Sequence, residues 1–257
     1  MGQLDGKVAI ITGAAQGMGA AEARMFAAEG AQVVLGDIQD DLGAAVATEI
    51  GEAGVYEHLD VRCEDDWARV VPAVEQRFGR LDILVNNAGI NRVASIATMP
   101  MSDYYDMVAT NQTGPLLGMR AVLAPMIKAG GGSIINISSF NGLQGLPGMV
   151  AYTGSKFAVR GMTKVAAMEF GRHGIRVNSV HPWGIVETSM GQAEDFSQVD
   201  SNSIFANQPI ARTGRAVEVA RMVVYLASDQ ASYCTGAEFV VDGGYGAGPQ
   251  IPGLIEA

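Results

Sequence analysis

The chain has 257 residues, 48% hydrophobic and 17% charged, enough apolar material for a sizeable core and too much for a disordered chain. Its 17 basic and 27 acidic side chains give a net charge of −10, a balance that repels phosphate backbones and speaks against nucleic acid as a partner. Cys63 and Cys234 cannot make a disulfide framework, and the start of the chain is no signal peptide. The longest stretch without charge is broken by seven glycines and Pro147, so no membrane span is expected and the protein reads as cytoplasmic.

Short β-branched runs recur along the chain at Val8–Thr12, Gln32–Asp37, Val55–Asp60, Ile83–Asn86, Ser133–Ser138, Arg176–His181 and Glu238–Val241. Between them, segments such as Gly17–Glu29, Asp40–Ile50, Glu64–Phe78 and Tyr152–Arg172 carry apolar residues at three and four spacing, as helices do. Strands alternating with helices predict right-handed βαβ crossovers. The fold expected is α/β: one doubly wound, Rossmann-type domain over residues 1–257, its parallel sheet of about seven strands covered by helices on both faces. Two places break the rhythm. One is Ala129-Gly-Gly-Gly132, before the fifth strand; the other is 183–213, too long for a plain loop and expected to be the substrate loop.

Thr12-Gly13-Ala-Ala-Gln16-Gly17-Met18-Gly19 lies between the first strand and the first helix. Glycines there permit a tight turn, and the helix N-terminus offers N–H groups and partial positive charge to a pyrophosphate. Asp37 ends the second strand eighteen residues past Gly19. A carboxylate there accepts hydrogen bonds from both ribose hydroxyls and repels a 2′-phosphate. Its neighbours Gln16 and Ile38 are not basic, so NAD is expected rather than NADP. Asp60 and Val61 suit the adenine edge, unless Asp60 merely caps its turn. Asn86-Asn87-Ala88-Gly89 either passes close to the adenosine ribose or forms an ordinary turn.

Tyr152 and Lys156 stand four apart, on one face of the predicted helix. A nearby ammonium stabilises a phenolate, which makes Tyr152 a general acid or base. Ser139, at the end of the fifth strand, can hydrogen-bond a substrate oxygen, and Asn111 can hold a water linking Lys156 to solvent. His58, His173 and His181 share no ligand spacing, so no catalytic metal is expected and His181 reads as a structural hydrogen-bonder.

The segments TGAAQGMG, LDV, NNAG, ATNQTG, INISS, YTGSK and VVDGG, in that order, resemble the short-chain dehydrogenase/reductase family over essentially the whole chain. The resemblance implies that Tyr152 handles the hydroxyl proton, Lys156 binds the nicotinamide ribose, Ser139 orients the substrate and Asn111 supports the water relay. Ser139, rather than Ser138, stands thirteen residues before Tyr152, the family's usual spacing. The family's Pro-Gly pair is here Pro182-Trp183-Gly184, with an extra Trp183. By resemblance Ile185 and Thr188 meet the nicotinamide carboxamide, while Trp183 either lines the substrate pocket or packs beneath the loop. GSIINISS, KFAVRG and TGAEFVVDGG look most like the bacterial 3α(or 20β)-hydroxysteroid dehydrogenase branch, which implies a bulky apolar alcohol or ketone. Met99, Met149, Met190, Phe140 and Phe205 are then wall residues. Family members are commonly homotetramers, and the tail Gly246–Ile255 would reach a neighbour. The alternatives are a 3-oxoacyl-carrier-protein reductase and a non-catalytic NAD-binding sensor.

Overall fold

In the computed structural model, which describes residues 2–185, 187, 205–206 and 208–248, the first apolar run is a strand, β1 (Val8–Thr12), buried at every position. The strands that follow are β2 (Gln32–Asp37), β3 (Gly54–His58), β4 (Ile83–Asn86), β5 (Gly132–Ile137), β6 (Ile175–Pro182) and β7 (Glu238–Val241). They form one parallel, seven-stranded sheet in the order β3-β2-β1-β4-β5-β6-β7. This is the expected Rossmann-type arrangement. The third strand ends at His58 rather than Asp60, although Leu59 N still donates to Asp37 O at 2.9 Å. Beyond it the chain turns, because Asp60 N is drawn to the Asp66 carboxylate at 2.8 Å.

The connecting helices are α1 (Gly17–Ala28), α2 (Asp40–Ile50), α3 (Glu64–Phe78), α4 (Met101–Val108), α5 (Gly114–Ala129), α6 (Val150–Phe170) and α7 (Ala216–Ala227). Their ends follow local chemistry. Glu64, Asp65 and Asp66 sit in the first turn of α3, where the helix dipole favours anions, and Gly79 closes it at φ +78°. Gly130, at φ +87°, ends α5 in the same left-handed way and explains the glycine run before β5.

Side chains alternate along the central strands, so the sheet has two cores. Ala9, Ile11, Val33, Leu35, Val85 and Ile135 pack with Ala23 and Phe26 of α1 and with Val219 and Val223 of α7. Val8, Ile10, Val34, Leu84 and Ile134 face the other way, against α3, α5 and α6. Each fully buried Val, Leu, Ile or Phe among them contributes roughly 1.5–3 kcal/mol, and together they hold the carboxyl ends of the strands in fixed register. Strand order reverses between β1 and β4, the place where open α/β sheets form a ligand crevice. Among the described residues no helix is long and apolar enough to cross a membrane.

Candidate active site

At that reversal lies a cleft of about 410 Å³, lined by Gly13, Gln16, Gly17, Met18, Asp37, Ile38, Asp60, Val61, Asn87, Ala88, Gly89, Tyr152 and Lys156 among others. The glycine turn forms its floor. Gly13 and Gly17 hold φ of +65° and +57°, which side-chain-bearing residues rarely adopt. A Cβ on Gly13 would lie 2.8 Å from Ala88 Cα, and one on Gly19 would overlap the Gly13 carbonyl. Asn87 Nδ2 fastens the turn by donating to Thr12 O at 2.9 Å and Gly13 O at 3.1 Å. The Thr12 hydroxyl completes the joint, accepting from Asn87 N at 3.0 Å and Ala88 N at 3.1 Å. Sequence reasoning missed this role of Thr12; its one signal is a hydroxyl residue closing the strand just before the glycines.

Asp37, at the end of β2, is buried, and its carboxylate accepts from Ala15 N and Gln39 N, each at 3.0 Å. These bonds fix its position at the cleft margin. Asp60 is engaged differently, its carboxylate gripped by Arg62 at 2.7 Å, which holds its pKa below the usual range. Arg62 and Arg92 also line the cleft, and nothing in the sequence pattern announced either. The residues present suit a dinucleotide: backbone without Cβ at the turn, a helix N-terminus, and a buried carboxylate in a cleft that also carries Tyr152 and Lys156.

In the cleft α6 supplies Tyr152 and Lys156, and Ser139 stands two residues beyond β5, just before the short turn Phe140–Gly142. The Lys156 ammonium donates to Ile137 O at 2.8 Å and sits 5.6 Å from the centre of the Tyr152 ring. Burial pushes Lys156 down to about 8. Burial pushes the Tyr152 phenol up, and a hydrogen bond with Ser139 pulls the other way. The balance differs from the expected lowering by Lys156, because burial penalises the phenolate and the ammonium is directed to a carbonyl. The two serines part company: Ser138 Oγ donates to Lys156 O at 3.0 Å, whereas Ser139 Oγ faces Tyr152 and accepts from Asn141 N at 3.1 Å.

Asn111 is fully buried within a π-helical turn, Ala109–Thr113, inserted between α4 and α5. Its amide clasps Ile90, accepting from the backbone N and donating to the O, each at 2.8 Å, and reaches Ser155 Oγ at 3.3 Å. Asn111 thereby holds the Gly89–Ile90 segment beside Lys156, a side-chain task different from carrying a water. Such turns often occur at functional sites.

Beyond β6, Trp183 stacks on Tyr245 with ring centres 4.4 Å apart and meets Phe140 and Phe205 edge-on. Gly184 has φ +66° and faces Phe205, and Ile185 bridges to Gly214. Pro182 ends β6. Met99 and Met149 pack with Tyr152 in a small apolar cluster. Thr188 and Met190 lie outside the described residues, as does most of the expected substrate loop. Among the described residues no three His, Cys, Asp or Glu side chains gather as a metal-binding group.

A family model described as Enoyl-(Acyl carrier protein) reductase matches residues 13–246. The chain belongs to the short-chain dehydrogenase/reductase family. It is 49% identical over 249 residues to a 3-alpha-(or 20-beta)-hydroxysteroid dehydrogenase of Mycobacterium tuberculosis, covering 96% of this chain and 92% of that relative. It is 42% identical to a trans-4-hydroxycyclohexanecarboxylate dehydrogenase of Sinomonas cyclohexanicum, over 95% of both chains. A cyclopentanol dehydrogenase of Comamonas testosteroni is 40% identical, over 96% of this chain and the whole of that relative. This short-chain dehydrogenase/reductase is thus an oxidoreductase, of a family that generally uses NAD or NADP.

Proposed function

We propose that this single-domain enzyme interconverts a cyclic, largely apolar secondary alcohol and its ketone with NAD(H). The reading is supported above all by one cleft lined by the Asp37 carboxylate, Tyr152 and Lys156, with Ser139 hydrogen-bonded to the Tyr152 phenol. Asp37 favours NAD because a 2′-phosphate would meet a buried carboxylate; Arg62, already paired with Asp60, is poorly placed to offset that repulsion. The nicotinamide, when bound, supplies or accepts the hydride. Ser139 Oγ orients the substrate oxygen beside the phenol. Tyr152 donates its Oη proton during ketone reduction and recovers it during alcohol oxidation. Lys156 binds the nicotinamide ribose and, as a cation, favours the phenolate left behind. The relay water then falls to the backbone of the Ala109–Thr113 turn, since the Asn111 side chain is engaged. Pro182, Gly184, Ile185 and Thr188 are assigned to the nicotinamide side, Trp183 and Met190 to the substrate side.

The substrate class rests on relatives named for steroid, cyclohexane and cyclopentanol substrates. The carrier-protein description of the family model favours a second reading, a reductase of acyl thioesters. Turnover with NADH and with NADPH, each on a cyclic ketone and on an acetoacetyl thioester, separates the two. NADH with the cyclic ketone is expected to lead by about tenfold or more; a preference for NADPH with the thioester would overturn the proposal. A cytoplasmic homotetramer completes it, supported by apolar side chains left exposed on α5 (Leu116, Ile127) and α6 (Phe157, Val165, Met168).

A further inference from the structure

His181 has no exposed surface, and its ring joins two elements of the site. Nδ1 lies 2.9 Å from the carbonyl oxygen of Ser139, and Nε2 lies 2.9 Å from Ser179 Oγ. A carbonyl oxygen can only accept, so Nδ1 carries the proton and Nε2 accepts from the Ser179 hydroxyl. The tautomer is thereby fixed. Burial holds the imidazole below its ordinary pKa; Arg160 and Lys156 push the same way, while the Ser139 carbonyl and Glu238 oppose.

The location gives the bond its meaning. Pairing between β5 and β6 runs to Ser138, whose N–H donates to Val180 O at 2.8 Å. One residue further the chain leaves the sheet for the short turn Phe140–Gly142, and there the imidazole supplies the next link. The Ser139 carbonyl accepts from Gly142 N within its own turn at 2.8 Å, so His181 is what ties it to β6, while the Ser139 hydroxyl accepts from Asn141 N and interacts with the Tyr152 phenol. A misplacement of about 1 Å at a reacting group costs about a hundredfold in rate, so this anchor has leverage.

We propose that His181 is a positioning residue, which sets the Ser139 hydroxyl against Tyr152 by clamping the Ser139 carbonyl. The proposal rests on the roles given above to Ser139 and Tyr152. Two substitutions divide the ring's functions. In His181→Asn the amide Nδ2 takes the place of Nδ1 and keeps a donor for Ser139 O. In His181→Gln the longer amide reaches toward Ser179, and the Ser139 carbonyl loses its tie to β6 and keeps only Gly142 N of its own turn, at 2.8 Å.

Steady-state kinetics on a cyclic alcohol, NADH binding followed by fluorescence, and thermal melting are measured on both variants and the wild type. His181→Gln is expected to lower kcat by about tenfold to a hundredfold, with KM and NADH affinity within about threefold, and His181→Asn to restore most of the loss. Equal kcat in His181→Gln and the wild type, or equal losses in both variants that track their melting temperatures, overturns the proposal. A 15N-histidine NMR spectrum of the resting wild-type enzyme, with the His181 signal assigned by its disappearance in His181→Asn, provides a readout independent of turnover. A neutral Nδ1–H ring is expected; an Nε2–H tautomer overturns the clamp even if His181→Gln fails to fold. If the wild type turns over no cyclic alcohol with either nucleotide, the functional reading fails, and the NMR spectrum still decides the clamp.

Discussion

Tyr152 is buried beside Met107, Met149 and Ala151, and that burial governs its proton. A phenol pushed upward keeps its proton at neutral pH, which suits donation to a carbonyl. Oxidation of an alcohol by the proposed route needs the phenolate, and the Ser139 hydrogen bond reduces the cost of forming it. Tyr152→Phe is expected to lower kcat by about a thousandfold and to leave NADH affinity within about threefold, because it removes one oxygen and little packing. Substantial turnover in this variant, measured by NADH absorbance, would remove Tyr152 from the acid/base role. The pair itself was legible at four-residue spacing. The direction of the phenol's shift was not, since it depends on how deeply the finished fold covers the ring and on the Ile137 carbonyl that captures the ammonium.

Among the elements, the β1–α1 turn shows how glycine becomes a requirement of packing. Gly19, in the first turn of α1, lies against the Gly13 carbonyl and the Asn87 amide, so an added methyl must force the turn and the β4 end apart. Gly19→Ala is expected to weaken NADH binding by about tenfold or more and to lower the melting temperature, both read by titration and thermal melting; unaltered affinity would mean that the turn does not cradle the dinucleotide. The glycine turn and Asp37 were readable because strand, turn and helix are local features. The π-helical turn at Asn111 was not, as ATNQTG carries no mark of the extra residue per turn. Trp183 fits two environments on sequence grounds, and its stacking on Tyr245 depends on a residue sixty-two positions away.

For the molecule as a whole, Glu22 is the least expected feature. It lies on α1, wholly buried, and neither carboxyl oxygen has a hydrogen-bond partner among the described residues. Burial pushes its pKa up to about 8, so the folded protein keeps a proton that the unfolded chain, near the ordinary carboxyl value of 4.5, releases. Between those pH values the folded state binds more protons, and stability falls as pH rises, by up to about 1.4 kcal/mol per pH unit from this group. Above about 8 the contribution is flat, both states being ionised. Glu22→Gln keeps the shape without the titration. Chemical denaturation from about pH 5 to 8 is expected to show a shallower decline in the variant than in the wild type; parallel curves would mean that Glu22 is ionised in the folded protein.

The sequence by itself determined the α/β alternation, the doubly wound sheet and the glycine, Asp37, Tyr152 and Lys156 positions, because each arises from periodicity or from short-range spacing, while the family resemblance singled out Ser139. Tertiary structure decided what Ser138 does instead, how far burial shifts Tyr152 and Lys156, and which partners His181 and the Asn111 amide engage. Those outcomes depend on contacts between residues distant in the chain, and on a dielectric environment that exists only once the sheet and its two helical layers have closed around them.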